Sequence, residues 1–323
     1  MSALVQAPRA VVMIRPHHFT PNPSTAADNG FQRTDELRSS AQVAREAHAE
    51  ASRAAEMLEA VGITVHLFED EGTETPDSVF PNNWFSTHAG GHVAIYPMYS
   101  PNRRQERRHD IIEMLKRHYR VQDVIDYSGL EQDAMFLEGT GAMVLDHIER
   151  VAYAARSMRT NEVILERFCT HFNFEPIVFD AADVQGRPIY HTNVLMCIGT
   201  GFALISLATI NHPARRTEIL ARLQDSGRTV IDLSQEQVSD FCGNALELRG
   251  AQGTVIAISS RALAALTPTQ RAALERQGQI LPLQIPTIEL AGGSVRCMLA
   301  GVHLVARSLG PIVTGSVVEE RAR

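Results

Sequence analysis

The chain has 323 residues, 44% of them hydrophobic and 21% charged, with a formal net charge of −7. That composition supplies ample material for a buried core and excludes a disordered or low-complexity chain. The acidic balance argues against a nucleic-acid binder, and no apolar run approaches the roughly 20 residues needed to cross a bilayer.

Met1 to Arg9 has no charged segment followed by an apolar one, so no signal peptide is expected and the cytoplasm is the expected location. Read in order, the chain alternates strand-like and helix-like segments. Ala10 to Arg15 reads as a strand, Thr34 to Val61 as a long helix and Thr64 to Phe68 as a strand after the break at Gly62. Val79 to His88 and His92 to Tyr96 read as a hairpin about Gly90-Gly91, followed by a helix from Asn102 to Tyr119 and a strand at Val121 to Ile125. The run Arg103 to Arg108 reads as the solvated start of that helix. The same order returns three times. Strand pairs at 142–146 and 151–155, 194–199 and 202–207, and 245–249 and 254–259 each precede a helix and one further strand. The helices are expected at 161–172, 213–225 and 268–277, and the closing strands at 175–179, 229–232 and 280–284. A last segment, Ile288 to Arg307, can complete a unit with the N-terminal strand.

Two strands, a helix and a strand thus recur at a spacing of 50 to 60 residues, which points to repeated supersecondary units around an axis. No Pro/Gly/Ser-rich linker divides the chain, so residues 1–323 are expected to form one domain. The longest turn-rich stretch, Asn22 to Asn29, reads as a loop over a site.

Chemistry-bearing residues fall at matching places in these units. Gly292-Gly293-Ser294-Val295-Arg296-Cys297 presents a thiol after two glycines at the start of a short helical run, where free N–H groups favour the thiolate. Leu137-Glu138-Gly139-Thr140-Gly141 sets a carboxylate, and Tyr190-His191-Thr192-Asn193-Val194 an imidazole, just before a strand. Together they supply a nucleophile, a proton-transfer group and a carboxylate to hold the imidazole or a substrate nitrogen. The other cysteines, Cys169, Cys197 and Cys242, form no C-x-x-C pair, so neither a disulfide framework nor a zinc site is expected; no metal or cofactor is called for. Lys116, the single lysine, lies in a helical run, against Schiff-base chemistry and a P-loop.

Five ββαβ units, Glu-Gly, a later strand-entrance His and a C-terminal Gly-Gly-Ser-x-x-Cys resemble the guanidino-group-modifying penteins, which include arginine deiminase, amidinotransferases and succinylarginine dihydrolase. More narrowly, Val79-Phe80-Pro81-Asn82-Asn83-Trp84, Glu138-Gly139-Thr140-Gly141, His191-Thr192-Asn193 and Gly243-Asn244-Ala245-Leu246-Glu247 are similar to the citrulline-utilisation hydrolase branch. The resemblance covers nearly the whole chain. It implies a five-bladed α/β-propeller in which the N-terminal strand completes the unit of Cys297, with Cys297 as nucleophile, His191 as general acid/base and Glu138 as its carboxylate partner.

Asn83 and Asn193 stand where arginine deiminases carry two Asp residues that hold the cationic guanidinium. An amide both donates and accepts, which suits a neutral ureido group and favours citrulline over arginine. Against this, Asp77 is able to replace the missing charge. The expected reaction is thiolate attack on the ureido carbon, loss of the amine and hydrolysis of a carbamoyl thioester, giving ornithine, ammonia and carbon dioxide. Arg15, Arg249 and Arg296, each beside a rim strand, are candidates for the α-carboxylate, and Asn244 for a further substrate contact. An arginine deiminase, a succinylarginine dihydrolase-like hydrolase or an amidinotransferase are the alternatives. A non-catalytic propeller that binds a protein partner is another, though it needs no aligned Cys, His and Glu. A papain-like hydrolase has its Cys before its His, the reverse of the order here. The expected partner is a small amino acid, with neither nucleic acid nor membrane; the oligomeric state stays open, a homodimer among the options.

Overall fold

The computed structural model describes residues 5–35 and 37–307. Its first strand, β1 (Ala10–Pro16), lies parallel to β2 (Thr64–Asp70), and the crossover between them is α1 (Ser40–Ala60). Parallel neighbours require such a long connection, whereas antiparallel ones close through a tight turn. The remaining units use both devices.

In the next unit β3 (Phe85–His88) pairs antiparallel with β4 (His92–Ile95), and α2 (His109–His118) leads to β5 (Asp123–Asp126), parallel to β4. The third opens with the one-turn helix α3 (Gly139–Ala142), then β6 (Met143–Asp146), β7 (Val151–Ala155), α4 (Glu162–Phe172) and β8 (Glu175–Phe179). The fourth runs α5 (Thr192–Leu195), β9 (Met196–Ile198), β10 (Phe202–Ile205), α6 (Pro213–Asp225) and β11 (Thr229–Asp232). After α7 (Gln235–Ser239) come β12 (Leu246–Gly250), β13 (Gly253–Ser259), α8 (Ser260–Ala265), α9 (Pro268–Glu275) and β14 (Gln279–Leu283). Finally α10 (Val295–Met298) leads into β15 (Ala300–Gly301), which pairs antiparallel with β1 through Val11 opposite Gly301 and Val12 opposite Ala300. Among the described residues the strands form five three-stranded sheets, each with the central strand antiparallel to one neighbour and parallel to the other.

The central strands are buried on both faces, which explains why β7 (Val-Ala-Tyr-Ala-Ala) and β10 (Phe-Ala-Leu-Ile) are apolar without alternation. Helices cover the outer side. In α1 the buried positions Val43, Ala47, Ala51, Ala54 and Leu58 recur at helical spacing and meet Val11 and Met13 of β1. Residues from β3, β6, β9, β12 and β15 line one narrow cavity, so the first strands of all five units converge there.

Several boundaries differ from those expected. The helix assigned to Thr34 to Val61 starts at Ser40, because Ser39 and Gln42 form a capping box that fixes its first turn. Val79 to His88 is extended only from Phe85; Pro81 opens a 3-10 turn over Pro81–Asn83. The run starting at Asn102 is a separate 3-10 segment, Pro101–Glu106, ahead of α2. Within it Arg103 is buried and not solvated, because three carboxylates, Asp77, Glu106 and Glu138, meet it.

Candidate active site

Every unit enters its first strand through a tight turn, and the polar residues singled out in the sequence sit on these turns. Asn83 ends the 3-10 turn before β3, Glu138 precedes α3, His191 precedes α5, Asn193 lies within α5, Asn244 follows the turn at 240–243, and Cys297 lies in α10. Equivalent positions in different units thereby bring residues far apart in the chain to one place. Cys297, His191 and Asn83 line a small cavity together with Asp77, Arg103, Arg159 and Tyr190.

The imidazole and the carboxylate meet directly: His191 Nε2 lies 2.8 Å from Glu138 Oε2. Glu138 also accepts from Tyr99 N (3.0 Å) and Arg159 Nη1 (3.3 Å), and Arg103 Nη1 is 3.6 Å away. Burial pushes the Glu138 carboxyl up, but Arg159, His191 and Arg103 outweigh it and hold the group well below the usual range, as an anion. Burial lowers His191 to about 4 despite the opposing pull of Glu138, so the ring is neutral at neutral pH. A neutral ring that donates from Nε2 to a carboxylate leaves Nδ1 as a base. Gly141 passes close to that nitrogen: an added Cβ there would stand 2.8 Å from His191 Nδ1 and 2.2 Å from the Asn83 amide. The glycine of Glu138-Gly139-Thr140-Gly141 is therefore required by close approach.

The Cys297 sulfur is held by two amides, Asn193 Nδ2 and Asn244 Nδ2, each 3.3 Å from Sγ. Asn244 is itself fixed: its Nδ2 donates to Asn193 O (2.9 Å), and its Oδ1 accepts from Arg296 N (2.9 Å). Asn193 Oδ1 is buried with no partner among the described residues. Gly292, at φ +80°, turns the chain ahead of Cys297, and its carbonyl accepts from Tyr190 OH at 2.5 Å.

The lining also carries charged groups. Arg103 makes a bidentate pair with Glu106 (2.9 Å to each oxygen) and lies 3.6 Å from Asp77. With the Asn83 amide turned so that its oxygen faces Arg103, it accepts from both terminal nitrogens of Arg103 (3.1 and 3.2 Å) and donates to Asn82 Oδ1 at 3.2 Å. Burial raises the Asp77 carboxyl against the pull of Arg103, and Asn22 Nδ2 donates to it at 2.8 Å. Arg159 is buried over the Tyr190 ring and pairs with Asp28 (2.8 and 2.9 Å). Asn22 and Asp28 belong to the segment between β1 and α1, which also ties down through Asn29 Nδ2 to Ala291 O (3.0 Å) and Arg33 N to Leu290 O (2.8 Å). Of the stretch Asn22 to Asn29, read as a loop over a site, Asn29 lines the cavity, and Asn22 and Asp28 bond to the lining residues Asp77 and Arg159.

Three candidates for the substrate carboxylate lie elsewhere. Arg15 pairs with Glu69 on the edge of the β1–β2 sheet, Arg249 lines a separate cavity at the Val5 to Arg9 segment, and Arg296 lines the interior cavity on the other side of α10. Asn193 and Asn244 do not line the small cavity; they hold the sulfur. Sequence reasoning missed Arg103 and Arg159, whose signal is weak: one sits in an arginine-rich run and the other beside an exposed Met158. Among the described residues, the His, Cys and carboxylate groups close enough for a metal are His17, His48 and Glu69, away from the cavity and with Arg15 already on Glu69.

With its thiol, its carboxylate-held imidazole and its five like units, the chain is one of the guanidino-group-modifying penteins. Within them the chain belongs to the family described as N,N dimethylarginine dimethylhydrolase, eukaryotic, whose model matches residues 15–304. Among solved structures, the N-terminal domain of ArgZ, an arginine dihydrolase from the ornithine-ammonia cycle in Cyanobacteria, has a TM-score of 0.69 at 17% identity, covering 92% of this chain and 98% of that one. AgrE in complex with L-arginine has a TM-score of 0.70 at 16% identity over 93% of this chain and 41% of its own. A dimethylarginine dimethylaminohydrolase adduct with S-methyl-L-thiocitrulline has a TM-score of 0.60 at 15% identity over 91% of this chain and 99% of that one. At these identities the likeness is one of fold. No curated protein matches the chain.

Proposed function

We propose that the chain is a cysteine hydrolase of an arginine-related amino acid, acting on the guanidino or ureido carbon, with citrulline as the preferred substrate. The observation that carries this reading is the small cavity in which the amide-held Cys297 and the Glu138-held His191 face one space. The five units close into a ring around the interior cavity, a five-bladed propeller formed by one cytoplasmic domain.

His191 takes the thiol proton on Nδ1, and Glu138 stabilises the imidazolium that results. The thiolate attacks the ureido carbon; His191 returns the proton to the departing δ-nitrogen, and ornithine leaves. The carbamoyl group remains on sulfur. Water, deprotonated by His191, then opens the thioester to ammonia and carbon dioxide, so that citrulline and one water are consumed in all.

Charge supports the neutral substrate. The side chains lining the cavity include one carboxylate, Asp77, and two guanidinia, Arg103 and Arg159. An α-carboxylate suits the two arginines and an α-ammonium suits Asp77, while a second cation finds no unpaired acid. Arginine is the second reading, supported by burial of Asp77, whose charge a guanidinium would stabilise. Ammonia and product release measured across citrulline, arginine, methylated arginines and succinylarginine tests both. Turnover of citrulline above the others is expected; preference for arginine or a methylated arginine would replace the first reading by the second, and inertness toward all would remove the hydrolase.

A further inference from the structure

The two guanidinia that line the small cavity are both engaged already. Arg159 donates from Nε and Nη2 to Asp28 (2.9 and 2.8 Å) and from Nη1 to Glu138 (3.3 Å). Arg103 donates from Nε and Nη2 to Glu106, and its Nη1 lies 3.6 Å from Glu138. On each guanidinium the paired edge Nε–Nη2 is thus closed by one carboxylate, and that edge is the one that takes a carboxylate bidentately. A ligand carboxylate that pairs with either arginine in this way has to displace a carboxylate of the chain. The Glu106 and Glu138 side chains are 0% exposed, whereas that of Asp28 is 25% exposed and lies in a turn of the segment between β1 and α1. Asp28 is the partner that can leave.

The same segment supplies donors to the acceptors of the cavity. Asn22 Nδ2 donates to Asp77 (2.8 Å), and Asn29 Nδ2 donates to Ala291 O (3.0 Å), where Asn29 and Ala291 both belong to the lining. One stretch of chain therefore sets a carboxylate on a lining guanidinium and N–H groups on a lining carboxylate and a lining carbonyl. An anion and a set of N–H donors are what the head of a free amino acid offers. The anchors differ in how firmly they are held. Asn22 is buried, and its Oδ1 accepts from Ser24 N (3.0 Å) and Asn102 Nδ2 (2.9 Å), while Asp28 is partly open to solvent on the side away from Arg159.

We propose that Asp28 is a built-in stand-in for the α-carboxylate of the substrate: it holds the Nε–Nη2 edge of Arg159 while the cavity is empty and is exchanged for the ligand's carboxylate when an amino acid enters. This rests on the reading of the lining arginines as α-carboxylate partners. Exchanging one carboxylate for another never leaves the buried Arg159 without a counter-charge, which is the costly state. It also makes the segment answer to one chemical group. A ligand that lacks a carboxylate leaves Asp28 on Arg159 and the segment anchored; one that carries it frees Asp28. The competition lowers the apparent affinity for amino acids by the fraction of molecules in which the edge is open.

Calorimetric titration of the Cys297→Ser protein with citrulline, arginine and the decarboxylated analogue of each tests this. Serine at 297 keeps the ligands from being consumed, so binding is read whether or not the hydrolase reading holds. Adding Asp28→Asn should tighten the binding of citrulline or arginine about tenfold, as for an edge closed in roughly nine molecules of ten, and should leave the decarboxylated analogues unchanged. An equal gain for the analogues would make Asp28 a general barrier and overturn the proposal, as would no gain for the amino acids or no binding of any ligand to either protein. Binding with this pattern but no turnover of any ligand by the unmutated protein would remove the hydrolase and leave the exchange at Arg159 standing. If Asp28→Asn does not fold, hydrogen exchange of the Cys297→Ser protein decides: citrulline or arginine should speed exchange of the backbone amides around Asp28, and the decarboxylated analogues should not. Exchange that is unchanged or slowed by the amino acids would overturn the proposal.

Discussion

The proposed nucleophile, Cys297, is held by two amide donors, and Cys297→Ser should abolish ammonia release while leaving the circular dichroism spectrum unchanged. Cys169, Cys197 and Cys242 are buried with thiols pushed up to about 12 by burial, and Ala at any of them should retain turnover. Retained activity in Cys297→Ser, or loss of it in Cys242→Ala with the fold intact, would move the chemistry to another thiol. His191→Ala should lower the rate by about 10²–10⁴-fold, and Glu138→Gln should fall in the same direction because a neutral amide no longer stabilises the imidazolium. The two asparagines now separate. Asn193→Ala should slow alkylation of Cys297, since a donor to sulfur is lost, whereas Asn83→Asp should change the ratio of citrulline to arginine turnover, since Asn83 lines the cavity. An unchanged ratio in Asn83→Asp would remove that residue from substrate selection. Cys297, His191 and Glu138 were legible because glycine-rich turns and nearby strands mark them in the sequence. Arg103 and Arg159 were not, because nothing in an arginine's neighbours along the chain reveals that a carboxylate distant in sequence will bury it.

The covering segment between β1 and α1 is an element without regular structure for most of its length, and turn-forming residues alone pointed to it. What the sequence could not supply was its anchors, because Asn22–Asp77, Asp28–Arg159 and Asn29–Ala291 all join residues distant in the chain. Asp28→Ala removes an ion-pair partner of the buried Arg159 and should speed iodoacetamide labelling of Cys297 several-fold; unchanged labelling would mean that the segment does not control access. Gly141→Ala forces a Cβ against His191 Nδ1 and Asn83, so activity should be lost with little change in melting temperature. The repeating strands were legible from apolar runs such as β7 and β10, and the helices from their spacing. The one-turn helices α3 and α5 were not separated from the strands that follow them, since four residues carry no period, whereas the short helical run expected at Cys297 is α10.

At the scale of the molecule, the unit that carries Cys297 is built from both chain ends, β15 from one and β1 and β2 from the other. Repetition puts the turns in equivalent places, and this is why residues separated by more than a hundred positions, such as Asn193 and Cys297, touch. The interior also holds neutral histidines, which makes stability depend on pH. His191 and His303 are lowered by burial from 6.5 to about 4, so the unfolded chain binds more protons between those values. Their contribution is intact above 6.5 and is lost as pH falls toward 4, at on the order of 1 kcal/mol per pH unit for each histidine. Thermal melting followed downward from neutral pH should show a steep fall over that window, less steep in His303→Phe; a flat profile would contradict neutral burial. The central claim is a carbamoyl group passing through Cys297. Acid quenching of the unmutated enzyme during turnover of ureido-labelled citrulline, followed by peptide mass spectrometry, should find one labelled carbamoyl group on the Cys297 peptide that decays as substrate is exhausted. Ammonia released at full rate with no label on Cys297 at any time would contradict it.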